Sequence, residues 1–442
     1  MYRILILAAL LLLPALRLSA QAGWQKVDSV TWQLYSGQKW DSLHKEAEKA
    51  LKNQIDFYFL RVRAGVAAWE LKKYRTAIRY FQEARKTSPG DEFVNSYYYS
   101  SLLLAGRDDE ANALADQLPT DFTDRQQIKR KGFVNSITME TLCSSNRQHP
   151  ALTKENIDSE GSFSTYRSVL DRMWYKNLGL DHHISSGFDL YHSFSHIRID
   201  RTQQFQSVAN QLDASKKTYT SQFQYFIQGR MIAGKGWQTT LAYSNVWGDS
   251  YYHYPENQSS SGYIFPRQTY AIRDQLVNFG ISKELTFLRP RISFTTGKIN
   301  GLRQYQMNGQ IIVYPLGNLN LYFLSEGSMH ADGSEPLKTV YTQKAGIRTG
   351  PVWWTGEATF GKIRNFSMDD GLVIYNMPET IDGMYGLTLW IPLFKYKLNL
   401  AARYLMSEKT GMTFVYTDAV RYSTRSYGYT DQSILISLKW NL

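Results

Sequence analysis

The chain has 442 residues, enough for two or three domains, and it carries 50 Lys and Arg against 39 Asp and Glu, a formal net charge of +11. Cys143 is the only cysteine, which excludes an intrachain disulfide, so stability must come from packing or from lipid. Most of the basic excess follows residue 163, and nothing beyond net charge suggests a nucleic-acid partner. The mean hydropathy of −0.40 is that of a water-soluble chain, but the 31 tyrosines are typical of membrane interfaces.

The first twenty residues, MYRILILAALLLLPALRLSA, have the pattern of a secretory signal peptide. Arg3 gives a basic start, an apolar run over 4–16 follows, and small residues stand at Ser19, Ala20 and Ala22. We expect cleavage after Ala20 or Ala22; the alternative is an uncleaved anchor helix. No later stretch approaches the length of an apolar membrane helix, so any other membrane-spanning part must consist of strands.

Similar residues recur every 34 positions between about 24 and 118. Three sets share this spacing: Leu43, Ala77 and Ala111; Ala47, Phe81 and Ala115; and Ala50, Ala84 and Leu118. In the middle unit Gly65 permits two helices to approach closely, and Pro89 ends the unit. We therefore predict a helical repeat domain over residues 21–143.

These small, aromatic and proline positions resemble those of the tetratricopeptide repeat (TPR). The resemblance implies a solenoid with a concave face that binds another protein. It also implies which residues line that groove in the middle unit: Phe59, Val62, Val66, Trp69 and Glu70. Because four of the five are apolar, a clamp for a peptide carboxylate is disfavoured. The groove is expected either to take an apolar partner segment or to pack on the next helix of the chain itself.

Residues 122–143 are expected to form one more helix that closes the stack, and the polar stretch 144–165 is expected to be a linker. After about residue 170 the helical period disappears, and alternating segments of strand type follow. One example is LRQYQMNGQIIVY, residues 302–314, in which apolar residues alternate with Gln and Asn. We therefore predict that residues 166–442 form an antiparallel transmembrane β-barrel.

The connections between these segments alternate in length, which is typical of outer-membrane barrels. Short ones such as AGKG and PLFK are expected to be periplasmic turns. They alternate with long ones, expected to be external loops, such as NFSMDDGLVIYNMPETID and SEKTGMTFVYTDAVRYSTRS. The chain ends in ILISLKWNL, with apolar residues at every second position from Ile434 to Leu442, and this segment is expected to close the barrel. Counting from Phe188 gives 12 strands, and 14 is the alternative if the segment 174–184 and a further hidden strand belong to the barrel.

The polar faces of the predicted strands give a set of candidates that face the lumen. These are Gln222, Gln224, Arg230, Arg291, Gln306, Asn308, Gln310, Asn320, Lys344, Arg348, Glu357, Lys397, Asn399 and Arg403. They form either a polar network that fills a narrow barrel or a path for solutes with a basic bias.

No motif for catalysis, for a metal or for another cofactor is evident. Four of the eight His lie close together in the sequence, at 182, 183, 192 and 196. On one strand His192 and His196 would stand roughly 13 Å apart, too far to share a metal, and Ser193 and Ser195 would face the opposite side. We predict that these His lie at an interface or form hydrogen bonds, and that the protein is not an enzyme.

The whole arrangement, an α + β multidomain chain with helical repeats before a barrel, resembles outer-membrane proteins with periplasmic tetratricopeptide repeats. Polysaccharide-export porins and translocators of surface lipoproteins share this plan. The resemblance implies transport, export or assembly at the outer membrane, with the repeats in the periplasm recruiting a partner or cargo protein. Its final strand also resembles the recognition signal for the barrel-assembly machinery, although Leu442 stands where Phe is usual. The alternative is an accessory subunit that transports nothing and anchors a larger complex.

Overall fold

The computed structural model describes residues 23–158, 161–258, 262–333 and 336–442. The predicted signal peptide lies outside these residues. Seven helices precede the first strand in the described part of the chain: α1 (23–36), α2 (Trp40–Lys52), α3 (Tyr58–Glu70), α4 (Tyr74–Thr87), α5 (Glu92–Leu104), α6 (Asp108–Gln117) and α7 (Thr120–Arg125).

The residues that recur at 34-residue spacing belong to the hydrophobic core of this helical unit. All nine residues of the three repeated sets are buried. Gly65 of α3 lies against the ring of Phe81 of α4, where an added Cβ would come within 2.5 Å of a ring carbon. A side chain at position 65 would therefore force α3 and α4 apart, which explains the glycine.

The chain separates into two compact units. The first comprises the chain up to Arg130 together with Leu285–Phe287 and Tyr314–Leu319, and the second comprises the remainder from Lys131. Within the first unit, Arg75 of α4 donates to the carbonyl oxygens of Leu285 at 2.9 Å and Thr286 at 3.1 Å. The guanidinium of Arg75 also lies 4.0 Å from the centre of the Tyr314 ring. The helical unit therefore includes two short segments from the C-terminal half of the sequence.

The second unit contains a closed antiparallel barrel of fourteen strands. In chain order these are β1 (Val134–Asn146), β2 (Ser164–Ser185), β3 (Phe188–Ser207), β4 (Leu212–Ile232), β5 (Trp237–His253), β8 (Arg267–Lys283), β9 (Leu288–Ile299), β10 (Leu302–Val313), β11 (Leu321–Ala331), β12 (Lys338–Thr349), β13 (Val352–Ile363), β16 (Thr380–Leu393), β17 (Leu398–Tyr416) and β18 (Tyr422–Asn441). Two small hairpins lie outside the ring, β6 (Glu256–Gln258) with β7 (Gly262–Ile264) and β14 (Phe366–Met368) with β15 (Val373–Tyr375). The strand number is thus the alternative value of 14, and the preferred count of 12 is wrong.

Two strands were missed because of where the barrel begins. The segment expected to close the helical stack, 122–143, ends its helix at Arg125 and then forms β1. Met139, Glu140 and Leu142 favour helices in isolation, but β1 is held by pairing along both edges, with β2 and with β18. The barrel therefore starts at Val134, not at residue 166.

The prediction that residues 144–165 form a linker is also wrong. It contains the end of β1, a short helix α8 (His149–Leu152) and the start of β2. Leu152 is buried against Val169 and Leu170 of β2, and the guanidinium of Arg167 donates to the Leu152 carbonyl and, at 2.8 Å, to Glu155. The polar composition of the segment thus reflects buried hydrogen bonds as well as exposure to solvent.

The last strand closes the ring, as its alternation indicates. β18 pairs with β17 on one edge and with β1 on the other, with Ser437 opposite Glu140 and Leu438 opposite Met139. Leu438 is 40% exposed and Ser437 is 7% exposed, so the alternate apolar residues from Ile434 to Leu442 face outward, and Leu435 shares the inward face with Ser437. We call the end of the barrel that holds Val134 and Asn441 the terminal end, and the opposite end the loop end.

The connections at the terminal end are short, for example 233–236 and 350–351, and the longest connections, 147–163 and 364–379, are at the loop end. The loop expected over 407–426 is mostly strand, because β17 runs to Tyr416 and β18 begins at Tyr422. A strand needs about 10 residues to cross a bilayer. β2 has 22 residues and β11 has 11, so the wall extends well beyond a bilayer at β2 and is about as long as a bilayer requires at β11.

Among the described helices, none combines the length and the apolar character needed to cross a membrane.

Candidate functional site in the barrel lumen

The outward face of the barrel is apolar around its whole circumference. Every one of the fourteen strands carries at least one large hydrophobic side chain that is exposed on this face. One example from each strand, in chain order, is Met139, Leu178, Phe194, Met231, Leu241, Phe279, Ile292, Met307, Phe323, Tyr341, Phe360, Leu387, Tyr404 and Ile436. A continuous band of this kind is costly in water and is favourable in hydrocarbon.

The inward face is polar, because side chains alternate along each strand. On β8, for example, Asp274, Asn278 and Ser282 are buried while Val277 and Phe279 are exposed. The inward polar groups hydrogen-bond to one another and to the segment that enters the lumen. Asn278 donates to Thr295 of β9 at 2.7 Å, for instance.

Twelve of the fourteen lumen candidates lie in barrel strands, and they differ in exposure. Gln222, Gln224 and Gln306 are buried. Arg230, Arg291, Asn308, Gln310, Lys344, Glu357, Asn399 and Arg403 are partly buried, and Arg348 is exposed at the end of β12, where its guanidinium lies 4.5 Å from the Trp353 ring centre.

Lys397 and Asn320 do not lie in strands. Lys397 is exposed in the turn 394–397, and Asn320 immediately precedes β11. Their assignment to strand faces was therefore wrong. In each case the strand begins one residue after the candidate, and the sequence pattern does not show where the strand begins.

Several of the candidates meet as ion pairs. Glu357 of β13 lies between Lys344 of β12, at 3.3 Å, and Arg403 of β17, with which it makes a closer contact. Arg230 pairs with Asp181 at 2.7 Å. Three of the candidate cations, Arg230, Lys344 and Arg403, are thus paired with carboxylates, which agrees better with a polar network than with the alternative of a path with a basic bias.

The most informative feature of the lumen is the segment 364–379, which connects β13 to β16 at the loop end. It forms the β14–β15 hairpin with a 3-10 turn, Asp369–Gly371, at its tip. The tip reaches β4, which stands seven places from β13 in the ring of fourteen and is therefore on the opposite wall. Gln224 of β4 donates to the carbonyl of Gly371 at 3.1 Å. We call this segment the crossing loop.

The crossing loop also extends far along the barrel axis. The carboxylate of Asp370 accepts hydrogen bonds from Arg291 of β9 at 2.6 Å and from Gln228 of β4 at 2.9 Å. Arg291 is the fourth residue of β9, counted from the terminal end. The loop therefore enters from the loop end and nearly reaches the terminal end.

Hydrogen bonds hold the body of the crossing loop to the other walls. Gln306 of β10 donates to the Ser367 carbonyl at 2.8 Å. Asn376 donates to Asp274 of β8 at 2.8 Å and to Gln222 of β4 at 3.1 Å. Four of the lumen candidates, Gln222, Gln224, Arg291 and Gln306, thus bind this loop.

The two ends of the crossing loop are fixed differently. At the β13 end, Phe366 is buried in an apolar cluster with Ile363, Val340 and Met384. At the β16 end, Glu379 forms a buried, two-bond ion pair with Arg201 of β3, one bond of which is 2.7 Å long. Burial alone would raise the pKa of the Glu379 carboxyl, but the charge and hydrogen bonds of Arg201 outweigh it and hold that pKa below its usual value.

Sequence reasoning missed Arg201, Asp370 and Glu379 because the segment 364–379 was expected to be an external loop. The signal that could have been used is local. Phe366 and Met368 stand before the Asp-Asp-Gly turn, and Val373 and Tyr375 follow it, which is the pattern of a hairpin. That pattern predicts the hairpin but does not say whether it folds inward.

The groove candidates of the helical unit are split between core and surface. Val66 is 2% exposed and belongs to the core, and Val62 and Trp69 pack against that core. The ring of Trp69 is 5.3 Å from that of Tyr97 in α5. Phe59 is 60% exposed, and Glu70 is exposed at the end of α3.

The His cluster forms hydrogen bonds on strands β2 to β4. The Nε2 atoms of His182 and His192 are 3.1 Å apart, and His196 lies 3.0 Å from the hydroxyl of Ser221. Ser193 and Ser195 are buried on the opposite, inward face. Among the described residues, no group of three or more His, Cys, Asp or Glu could hold a metal ion.

No family model and no curated protein matches this chain. Solved structures that this chain partly resembles include the Pseudomonas putida toluene transporter TodX, with a TM-score of 0.44, 6% identity, and coverage of 75% of this chain and 92% of that one. A Pseudomonas aeruginosa FadL homologue has a TM-score of 0.40, 7% identity and coverage of 70% and 90%. The translocator domain of the Neisseria meningitidis autotransporter NalP has a TM-score of 0.31, 9% identity and coverage of 77% and 99%. At these values the likeness says nothing about what this chain binds or carries.

Proposed function

We propose that this protein is an integral outer-membrane protein whose barrel serves transport and whose crossing loop is a gate. In this proposal the tetratricopeptide-like helices are in the periplasm and recruit a partner or cargo protein. The membrane location is supported by the apolar band on all fourteen strands. The repeat assignment is supported by the burial of all nine residues that recur at 34-residue spacing.

One observation carries the transport proposal: a separate segment, 364–379, crosses the lumen from β13 to β4. An eight-stranded barrel is just wide enough for its own side chains to fill, and the interior widens as strands are added. Fourteen strands enclose more space than an anchor needs. In this barrel residues 364–379 lie in that space. The lumen would open if this segment moved out of it.

The way in which the crossing loop is attached is compatible with such movement. Its body and tip are held by hydrogen bonds, and water can replace the partner in each of them. Those between neutral groups are worth about 0.5–1.5 kcal/mol net, and those accepted by Asp370 or Asp274 about 1.5–3 kcal/mol. The apolar cluster around Phe366 would act as the fixed base about which the loop turns. The wall groups released by the loop, such as Gln224 and Arg291, are polar and would be hydrated.

A second function is favoured by a different observation. The buried Arg201–Glu379 pair and the Phe366 cluster fix both ends of the crossing loop, as expected of a permanent plug. In that case the barrel is an anchor, and the helices attach a larger complex to the membrane.

The two functions are separated by electrical conductance in planar bilayers. We compare the native chain with a variant in which 364–379 is replaced by a short Gly-Ser turn. The control variant has the exposed turn 417–421 replaced in the same way. If the barrel serves transport, the native chain conducts in rare openings, the loop variant conducts steadily and the control behaves like the native chain. A loop variant that is inserted and folded but does not conduct would refute the transport proposal and leave the anchor.

A further inference from the structure

Two arginines and two tyrosines form a stack on the outward face of the barrel, across β3, β4, β5 and β8. The guanidinium of Arg198 lies 4.4 Å from the ring centre of Tyr219, and that of Arg267 lies 3.9 Å from the ring centre of Tyr251. The two rings are 4.6 Å apart. Arg267 also donates to the Tyr219 hydroxyl at 3.1 Å. We call these four residues the Arg–Tyr cluster.

The cluster is held in place and remains open to its surroundings. Cation–π contact with the rings limits the freedom of both guanidinium groups. Asp200 accepts one hydrogen bond from Arg198 at 3.1 Å, but the Arg198 side chain is still 48% exposed. Two pre-oriented guanidinium groups on one face are suited to bind a phosphate, because each presents a planar fork of donors.

The surrounding charge is also basic. Exposed cations lie around the cluster on the same face of β2, β4 and β8, and Asp249 and Asp200 are the carboxylates closest to it along β5 and β3. The cations are Lys176, Lys217, Arg273 and Arg172, the last of which lies 3.7 Å from the carboxylate of Asp171. An anion near the Arg–Tyr cluster is therefore attracted by more than two charges.

The position of the Arg–Tyr cluster along the membrane normal indicates which kind of anion it binds. Three aromatic rings, of Phe194, Phe223 and Trp247, stack on the same strands toward the terminal end, with ring centres 5.7–6.1 Å apart. Such rings mark the edge of the hydrocarbon layer. Arg198, Tyr219 and Tyr251 are each four residues farther toward the loop end, roughly 13 Å along a strand and about 10 Å along the membrane normal at the usual tilt. This is the level of the lipid headgroups.

We propose that the Arg–Tyr cluster binds the phosphate of an anionic lipid headgroup in the leaflet at the loop end. The acyl chains of that lipid would lie along the Phe194, Phe223 and Trp247 rings. The inference rests on the membrane location in the proposed function but not on transport.

Native mass spectrometry of the full chain in a neutral detergent tests this binding. The probe is lipid A, a phosphorylated glycolipid, and dephosphorylated lipid A is the comparison. The site variant is Arg198→Gln with Arg267→Gln. The control variant, Lys298→Gln with Lys362→Gln, removes the same charge from exposed positions on β9 and β13. Unchanged heat-modifiable mobility on gels shows that both variants are folded.

We expect the native chain and the control variant to retain lipid A, and the site variant to bind it at least about tenfold more weakly. Binding should also weaken in about 0.5 M NaCl, where charges are screened within a few ångströms. Equal binding by the site variant, or equal binding of dephosphorylated lipid A, would overturn the proposal. Displacement of the lipid by an equal concentration of inorganic phosphate would overturn it too, because the ligand would then be a free anion.

The result is separable from that of the proposed function. If the native chain is absent from the membrane fraction, the membrane location fails and the lipid proposal fails with it. If the chain is in the membrane but does not retain lipid A, only the lipid proposal fails.

Discussion

At the scale of single residues, the Arg201–Glu379 pair is the contact on which the position of the crossing loop depends most. Both side chains are buried, and each satisfies the other with two hydrogen bonds. Removing one member of a buried pair leaves the other charge uncompensated, which typically costs about 3–5 kcal/mol. Replacing both members by apolar residues avoids that cost.

We therefore expect Glu379→Gln to lower the temperature at which the folded band converts to the unfolded band on gels. The double variant Arg201→Met with Glu379→Leu, of similar volume, is the control and should unfold near the native temperature. If the double variant is as unstable as Glu379→Gln, the pair matters for a reason other than its charge.

The same pair predicts a dependence on pH. The pKa of Glu379 is lower in the folded protein than its reference value of 4.5, so its contribution to stability is complete above about pH 4.5. It is lost as the pH falls through the folded-state pKa, because the carboxyl is then protonated. The difference in unfolding temperature between the native chain and Glu379→Gln should therefore be constant at neutral pH and should shrink below about pH 4.5. A difference that persists unchanged in strong acid would contradict the pKa assignment.

Gly65 is a second residue that decides local packing, because it has no side chain. Phe81 is fully buried, and a Cβ on residue 65 would lie 2.5 Å from its ring, so Gly65→Ala should overpack α3 and α4 by about 1–3 kcal/mol. Gly90→Ala is the matched control, because nothing lies within 4 Å of its Cβ position. We expect only Gly65→Ala to lower the thermal midpoint of the helical circular dichroism signal. Equal midpoints would mean that α3 and α4 can separate without cost.

At the scale of elements, β1 and β18 show how pairing overrides local preference. β1 contains residues that favour helices, but its edges complete the ladders of β2 and β18. In β18 the alternation of ILISLKWNL agrees with the observed exposure, with Leu438 outward and Ser437 inward. The sequence alone therefore predicts β18 as a strand, but it does not predict its partner β1.

The register of β18 can be tested by two adjacent lysines. Leu438→Lys places a charge on the lipid face, at a cost of about 2–4 kcal/mol near the bilayer midplane and up to about 1 kcal/mol near the interface. Ser437→Lys places the same charge in the lumen opposite Glu140 and should be tolerated. The amount of each variant assembled in the membrane is the measurement. If Ser437→Lys is the more damaging change, β18 is shifted by one residue and its faces are reversed.

At the scale of the whole molecule, closure depends on a strand that lies before the expected start of the barrel. Without β1, the edge of β18 and the edge of β2 beyond its short pairing with β17 would stay unpaired, and an open sheet edge is not tolerated in hydrocarbon. We expect a chain that starts at Lys131, after a signal peptide, to give a heat-modifiable barrel in the membrane. A chain that starts at residue 166, the boundary expected from the sequence, should not. Assembly of the shorter chain would show that β1 is dispensable.

The amino-acid sequence by itself determined the features that depend on spacing along the chain. The 34-residue recurrence of Leu43, Ala77 and Ala111 predicts buried positions, because equivalent residues in stacked units meet the same neighbours. The alternation in β10 and β18 predicts which side chains face outward, because successive residues of a strand point to opposite sides. These patterns need no knowledge of distant contacts.

Only the tertiary structure decided the features that depend on distant partners. Whether 134–146 is a helix or a strand depends on the free edges of β2 and β18, at opposite ends of the barrel sequence. Whether 364–379 projects outward or enters the lumen depends on Gln224, Arg291 and Arg201, which lie on the far walls. The polar residues of that segment would suit water equally well, so composition cannot distinguish a solvated loop from one whose hydrogen bonds are made inside a closed barrel.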